Sequence, residues 1–270
     1  MSDVVDRRRL RRNFCTSAGS YDRYAQVQKQ VVAGLLQLME DYGPQQGRFL
    51  DIGCGTGGLA CEVIRQRPEM QPILSDIAHG MTRQAVRRLP SAMVVDAAAE
   101  ALPFADASID LICSASVYQW IADLPQAFAE NARILKDHGL FAFALFGGET
   151  LHELKSAYRL ASEAIGEGAA HLHQLPELPG VRQALAAAGL QMLQLQRQEL
   201  IEYHREVADL LRSLKGIGAG NASPQAPRGL ASRRLLQSMS EIYCQRYGRE
   251  GRVPATYEVF YGLAVRPQRR

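Results

Sequence analysis

The sequence predicts a doubly wound α/β fold, a mainly parallel sheet with helices on both faces, and three observations predict it. Short apolar strands alternate with helical stretches from residue 48 to residue 146. Acidic or small polar residues (Asp51, Asp76, Asp96, Ser114) recur where those strands end, so ligand-binding groups should converge on one crevice beyond the carboxyl edge of the sheet. The stretch 109–114 is apolar on nearly every residue, as a strand covered on both faces must be.

The elements follow in order. Val27, Val31, Val32, Leu35, Leu36 and Met39 recur at helical spacing, so residues 24–39 read as an amphipathic helix that Gly43 and Pro44 end. Residues 48–52 form a strand running into glycines, and 58–67 have helical character. A second strand near 72–75 reaches Asp76, a helix covers about 79–88, and a third strand, 92–95, reaches Asp96. After a turn-like stretch at 103–108 comes the fourth strand. Asp123 is placed to cap a helix running to Lys136, and 139–146 is the fifth strand. Beyond Phe146 the alternation loosens. Helices are expected at 150–165 and 179–188, a strand at 191–203, helices at 205–215 and 230–247, and a closing strand at 256–265. The expected organisation is an N-terminal helical cap (1–45), a nucleotide-binding core (46–146) continued at 179–203 and 255–270, and two lid insertions (147–178 and 204–254).

Composition narrows the function classes. With 270 residues, 47% apolar and 22% charged, the chain is long enough to bury a substantial core, and disorder is excluded. The first twelve residues are charged, and the longest later apolar run, 140–146, is too short to span a bilayer; a cytoplasmic protein with no membrane partner is expected. Five scattered cysteines show no paired spacing, so neither a disulfide frame nor a metal site is expected. His171 and His173 alternate as a metal pair would, but have no carboxylate or thiol nearby and read as loop residues. Charge is unevenly spread. Residues 51–200 carry 11 basic and 17 acidic side chains, whereas the flanks carry 20 basic and 11 acidic. That segregation reads either as a solvated arginine-rich surface or as flanks that meet an acidic partner. The run Arg7, Arg8, Arg9, Arg11, Arg12 lacks interleaved aromatics, so no nucleic-acid partner is expected.

The loop LDIGCGTGG at 50–58 holds both a G-x-G-x-G run (Gly53, Gly55, Gly57) and a G-x-G-x-x-G run ending at Gly58, which by themselves fit either S-adenosylmethionine or a dinucleotide. Asp51 discriminates, because a carboxylate just ahead of the loop repels a pyrophosphate and pairs with the cationic amine of a methionine moiety. Asp76, followed by Ile77, suits a ribose diol in either ligand. Asp96 and Ala97 suit the adenine amino group and ring, although the AAAEAL that follows also lets Asp96 read as a helix cap. Ser114 completes the expected cofactor set.

Together LDIGCGTG, SDIAHGM and DAAAEALPF followed by SIDLICS resemble the cofactor motifs of class I S-adenosylmethionine-dependent methyltransferases. That resemblance implies a Rossmann-like sheet whose last strand is antiparallel. Five further segments resemble the malonyl-acyl-carrier-protein O-methyltransferase family of biotin synthesis: NFCTSAGSYDRYAQVQ at 13–28, VYQW at 117–120, TLHELKSAY at 150–158, RSLKGIGA at 212–219 and TYEVFYGLAVR at 256–266. The resemblance implies a methyl transfer to the free carboxylate of a malonyl thioester on an acidic carrier protein, which the basic flanks would meet. Such a nucleophile is already ionised, so alignment rather than a general base is what the protein must supply. Tyr21 is expected to close over the cofactor and donate a hydrogen bond near the reacting carboxylate. Gln119 and Trp120 are expected to shape the acceptor pocket, and Arg212 and Lys215 to meet the malonyl group, the phosphopantetheine phosphate or the carrier. Two other readings share the cofactor residues: a small-molecule methyltransferase, and a binding protein without turnover.

Overall fold

The structure, a computed structural model, describes residues 5–166, 174–220 and 232–268. Seven strands form one sheet in the order β3-β2-β1-β4-β5-β7-β6. They are β1 (Gln46–Ile52), β2 (Glu69–Asp76), β3 (Met93–Asp96), β4 (Ile109–Ala115), β5 (Leu135–Phe146), β6 (Gln191–His204) and β7 (Val253–Val265). The first five run parallel, and β7 lies antiparallel between β5 and β6. This is the sheet expected from the sequence, including the reversed last strand.

Alternation along each strand explains the two helical layers. Phe49, Leu111, Ala142 and Ala144 face one apolar cluster, while Leu50, Ile112, Phe141 and Phe143 face another. The first cluster is covered by α3 (Gln26–Leu38), α4 (Gly58–Gln66), α7 (His152–Ile165), α9 (Val207–Gly216) and α10 (Arg233–Tyr247); the second by α6 (Leu124–Ile134) and α8 (Leu178–Ala187). Asp123 caps α6, its carboxylate accepting from the Gln126 amide at 2.9 Å, and Gly189 takes the left-handed conformation that ends α8, whereas α3 stops at Leu38 with Met39 as its cap and the left-handed Gly43 turns the chain farther on. The exposed edge strand β6 carries Gln, Arg or Glu at half of its positions, which discourages pairing with a second sheet.

Three local features depart from the sequence reading. The arginine run lies on a helix, α1 (Arg7–Ser17), whose N-cap is Asp6, and a second short helix, α2 (Tyr21–Tyr24), precedes α3. Arginine pattern alone did not announce α1, because its apolar stripe is only Leu10 and Phe14. Residues 98–101 form one turn closed by an Ala98–Ala101 bridge instead of a helix, so Asp96 caps nothing there; helix α5 (His79–Arg88) lies ahead of it. His171 and His173 lie outside the described residues. No helix among the described residues is long and apolar enough to cross a membrane.

The second layer is built on rings. Tyr118, Phe128, Phe141 and Phe143 meet edge-on or stacked at centroid distances of 4.8–6.4 Å, and the Tyr118 hydroxyl accepts a 2.6 Å bond from Asn131 Nδ2. Phe128→Ala is expected to lower unfolding free energy by ~3–5 kcal/mol, because so enclosed a site collapses poorly. Urea unfolding followed by circular dichroism measures it; a loss below ~1 kcal/mol would mean that the ring cluster is not a unit of the core.

Candidate functional site

The order β2-β1-β4 places the topological switch point between β1 and β4, and the crevice opens beyond their carboxyl ends. Asp51, at the end of β1, is buried at 1% exposure. Neither of its carboxylate oxygens makes a hydrogen bond of normal geometry among the described residues. Burial, then the nearby Asp76, push its carboxyl up to about 8, and the Ala60 amide offsets only part of this. Asp76 is better satisfied: it accepts from the Gly55 amide at 3.0 Å and the Ala78 amide at 2.8 Å, and burial still raises it to about 6.

The glycines have separate reasons. Gly53 sits at φ +67° and donates to the Ser75 carbonyl at 2.7 Å; a Cβ there would strike Val117 at 2.1 Å. Gly55 is also left-handed, but a Cβ there would meet nothing within 4 Å, so its backbone faces open space. Gly57, left-handed at φ +84°, starts α4. A buried carboxyl lacking donors, a second carboxylate at the end of the next strand and an open backbone cradle fit a ligand with a cationic tail and a ribose. They fit a pyrophosphate poorly, because a second anion beside Asp51 would oppose its ionisation, whereas a cation favours it.

Three cavities meet at this crevice. One, of about 680 Å³, runs from Asp51 and Gly55 between α3 and α4. A narrow one lies over Asp76, Ile77 and Ala97 beneath α1, where Arg7 pairs with the buried Glu100. A third connects Tyr21, Gln119 and Trp120 toward Leu151 and Leu214 of the lid. Tyr21 and Ser116 line all three. Burial, followed by the charges of Asp76 and Asp22, drives the Tyr21 phenol far above its ordinary range, so it stays a protonated donor.

Tyr21 is held from both sides. On the core side Asp22 accepts from Thr56 Oγ1 at 2.6 Å and pairs with Arg88 at 3.2 Å, tying α2 to the glycine loop and α5. On the lid side the end of α9 packs against the same segment: a Cβ on Gly216 would lie 2.3 Å from the Tyr24 ring, and one on Gly218 would press on Phe14 and Asn13. The glycines of the LKGIGA segment therefore let the lid close onto the elements that carry Tyr21.

The remaining expected residues divide. Gln119 is buried, donating to the Ser116 carbonyl at 2.8 Å and accepting from the Phe146 amide at 3.5 Å. Trp120 packs edge-on against Phe14 and forms a wall common to two of these cavities. Asp96 accepts from Thr82 Oγ1 and lies against His79 Nδ1, both at 2.7 Å, while Ala97 lines the crevice. Ser114 is a correction: it is fully buried, its hydroxyl donates to the Ile52 carbonyl at 2.8 Å, and it cross-links β4 to β1 without lining the crevice. Arg212 is exposed and pairs with Asp209 at 2.7 Å and Glu206 at 3.2 Å. Lys215, one turn on, has no ion pair among the described residues and lines a lid cavity.

Sequence reasoning missed Ser116. It is left-handed at φ +63° without being glycine, and its buried hydroxyl has no partner among the described residues. Only the bend after β4 reveals it.

Comparison with known proteins agrees with this geometry. Residues 50–143 match the methyltransferase domain family. A malonyl-acyl-carrier-protein O-methyltransferase of Geobacter sulfurreducens is 43% identical over 97% of this chain and 100% of its own length, and one from a Methylovorus species is 36% identical over 99% and 91%. The chain belongs to the malonyl-acyl-carrier-protein O-methyltransferase family. The fold of this methyltransferase also matches geranyl diphosphate C-methyltransferase of Streptomyces coelicolor (TM-score 0.52, 14% identity, 87% of this chain and 79% of that one), a likeness of architecture alone.

The buried carboxyls have a measurable consequence. Both bind protons more readily in the fold than in the unfolded chain. Their contribution to ligand-free stability is thus present at low pH and lost as pH rises through about 6 and then about 8. A cationic ligand reverses the preference of Asp51, so S-adenosylmethionine binding at pH 7 should release protons. Calorimetric titration in two buffers of different ionisation enthalpy should read that release, and Asp51→Asn should remove most of it while weakening affinity. Equal heats in the two buffers would show Asp51 already ionised.

Proposed function

We propose that this chain transfers the methyl group of S-adenosylmethionine to the free carboxylate of a malonyl thioester on acyl carrier protein, the esterification that starts pimeloyl assembly for biotin. The observation that carries the reading is likeness to this family over nearly the whole chain, joined to a buried, uncompensated Asp51 at the switch point. Bound S-adenosylmethionine supplies an electrophilic methyl on a positively charged sulfur.

Everything else falls to the chain's own groups. Asp51 receives the ligand's ammonium, Asp76 its ribose hydroxyls, and Ile77, Asp96 and Ala97 its adenine end, with Gly53, Gly55 and Gly57 shaping the loop. The malonyl carboxylate needs no proton removed, so no side chain has to act as a base. The Tyr21 phenol donates to the carboxylate and fixes its direction, Gln119 holds the backbone of the acceptor pocket, and Trp120 keeps water out. Correct orientation of reacting atoms contributes ~7–11 kcal/mol in favourable cases. Residues 46–146 serve the cofactor, and the described parts of the insertions 147–178 and 204–254 cover the acceptor. The carrier is acidic and meets basic side chains of the cap and lid, among which Lys215 is available and Arg212 is already paired.

The direct test is incubation of the purified protein with labelled S-adenosylmethionine and malonyl-carrier, followed by mass measurement of the carrier for an added methyl ester. No ester under conditions where the cofactor binds would sink the reading. Tyr21→Phe should lower kcat roughly ten- to a hundredfold, the range expected for one hydrogen bond to a charged group at ~1.5–3 kcal/mol, with cofactor affinity little changed. Full turnover in that variant would remove Tyr21 from its role.

A further inference from the structure

A second large cavity, about 590 Å³, lies between α1, α7, α9 and α10. It shares Trp120, Thr150, Leu151, Leu175, Leu214 and Ala219 with the narrow passage that begins at Tyr21 and Gln119, so the two spaces adjoin along these residues. A malonyl group is three carbons long and polar at both ends. It fills neither the length nor the apolar character of a space walled by Leu154, Leu211, Leu236 and Met239 in addition.

We propose that this chamber is the seat of the phosphopantetheine arm that delivers the malonyl group, with the arm's phosphate held at the mouth by Lys215 and Arg12; the inference rests on the malonyl-carrier reading above. The arm is chemically two-ended. Its methylenes and geminal methyl groups call for apolar walls, its two amides for isolated polar partners, and its phosphate for cations. The chamber offers these in sequence. Polar groups of Thr150, Tyr158 and Asn13 interrupt the leucine wall. Lys215 and Arg12, both exposed, have no ion pair among the described residues. Lys155 is the cation of the interior, and its ammonium is already spent on the Gly148 carbonyl at 2.7 Å. Burial lowers its proton affinity, so it is suited to an amide carbonyl and the phosphate falls to the two exposed groups.

The arrangement also gives a direction. A carboxylate at Tyr21 leaves the thioester in the passage and the phosphate at solvent, where the carrier's own surface can meet α1 and α9. Of the two helices that frame the mouth, α9 grips the Tyr21 segment where Gly216 meets Tyr24, and its extension meets α1 where Gly218 approaches Phe14 and Asn13.

Trp120 is the single tryptophan of the chain and stands in the wall of both spaces, so its emission reports occupancy without any turnover. Phosphopantetheine carrying no malonyl group should shift that emission saturably. Leu154→Phe and Leu236→Phe, on two different helices, should each weaken the effect by about tenfold while leaving S-adenosylmethionine affinity unchanged. In the methyl-transfer assay the same variants should raise KM for malonyl-phosphopantetheine and malonyl-carrier. They should spare malonyl-N-acetylcysteamine thioester, which lacks the pantoate and phosphate. Lys215→Ala should weaken phosphopantetheine more than dephosphorylated pantetheine. No saturable shift in a protein that binds the cofactor, equal losses on the truncated thioester, or equal losses with and without phosphate would each overturn the assignment. A saturable shift without transfer to any malonyl thioester would instead strike the proposed activity.

Discussion

One buried carboxylate sets the terms for the rest of the molecule. Asp51 sits under the glycine loop at the end of a central strand, with no donor of normal geometry among the described residues and only a partial offset from the Ala60 amide, and an ionised group in that position is destabilising until a cation arrives. The surrounding chain makes this arrangement possible. β2 and β4 fix β1 from both sides in parallel register, the Ser75 carbonyl pins the Gly53 and Cys54 amides, and Asp76 ties down Gly55. The loop is therefore rigid where it must turn and open where a ligand must approach. A methionine ammonium fits that electrostatic vacancy; a phosphate fits it poorly.

The acceptor half of the site is assembled differently. Tyr21 belongs to a four-residue helix that would not persist alone. Its position comes from the Thr56–Asp22–Arg88 clasp on one side and the close approach of Gly216 to Tyr24 on the other. Because one grip belongs to the cofactor loop and the other to the lid, the tyrosine is located only when both halves are in place.

The lid owes its fixed place to buried carboxylates as well as to apolar contact. Glu153 of α7 accepts from both the hydroxyl and the amide of Thr256, and Glu258 of β7 accepts from the Glu149 amide at 3.0 Å and pairs with Arg197. Tyr243 of α10 donates to the Pro254 carbonyl at 2.6 Å. These bonds attach the lid helices to β7, so the leucine-lined chamber is held open by polar links outside its walls.

Local rules were sufficient for everything that depends on neighbours in the chain. The strand and helix alternation, the Asp123 cap, the glycine end of α8 and the cofactor loop were legible because periodicity, caps and left-handed turns are properties of a few consecutive residues. Resemblance of whole segments, rather than periodicity, carried the reversed last strand and the family. What the sequence could not show is what depends on partners far along the chain. Ser114 and Ser116 are two residues apart, yet one hydroxyl is consumed by β1 and the other is left in the crevice by a backbone bend. Arg212 and Lys215 looked equivalent until Asp209 and Glu206 claimed the first. The amino-acid order by itself determined the sheet, the loop and the anion beneath it; only tertiary packing decided which polar groups were already satisfied, and a side chain is available for chemistry only when its neighbours in space leave it so.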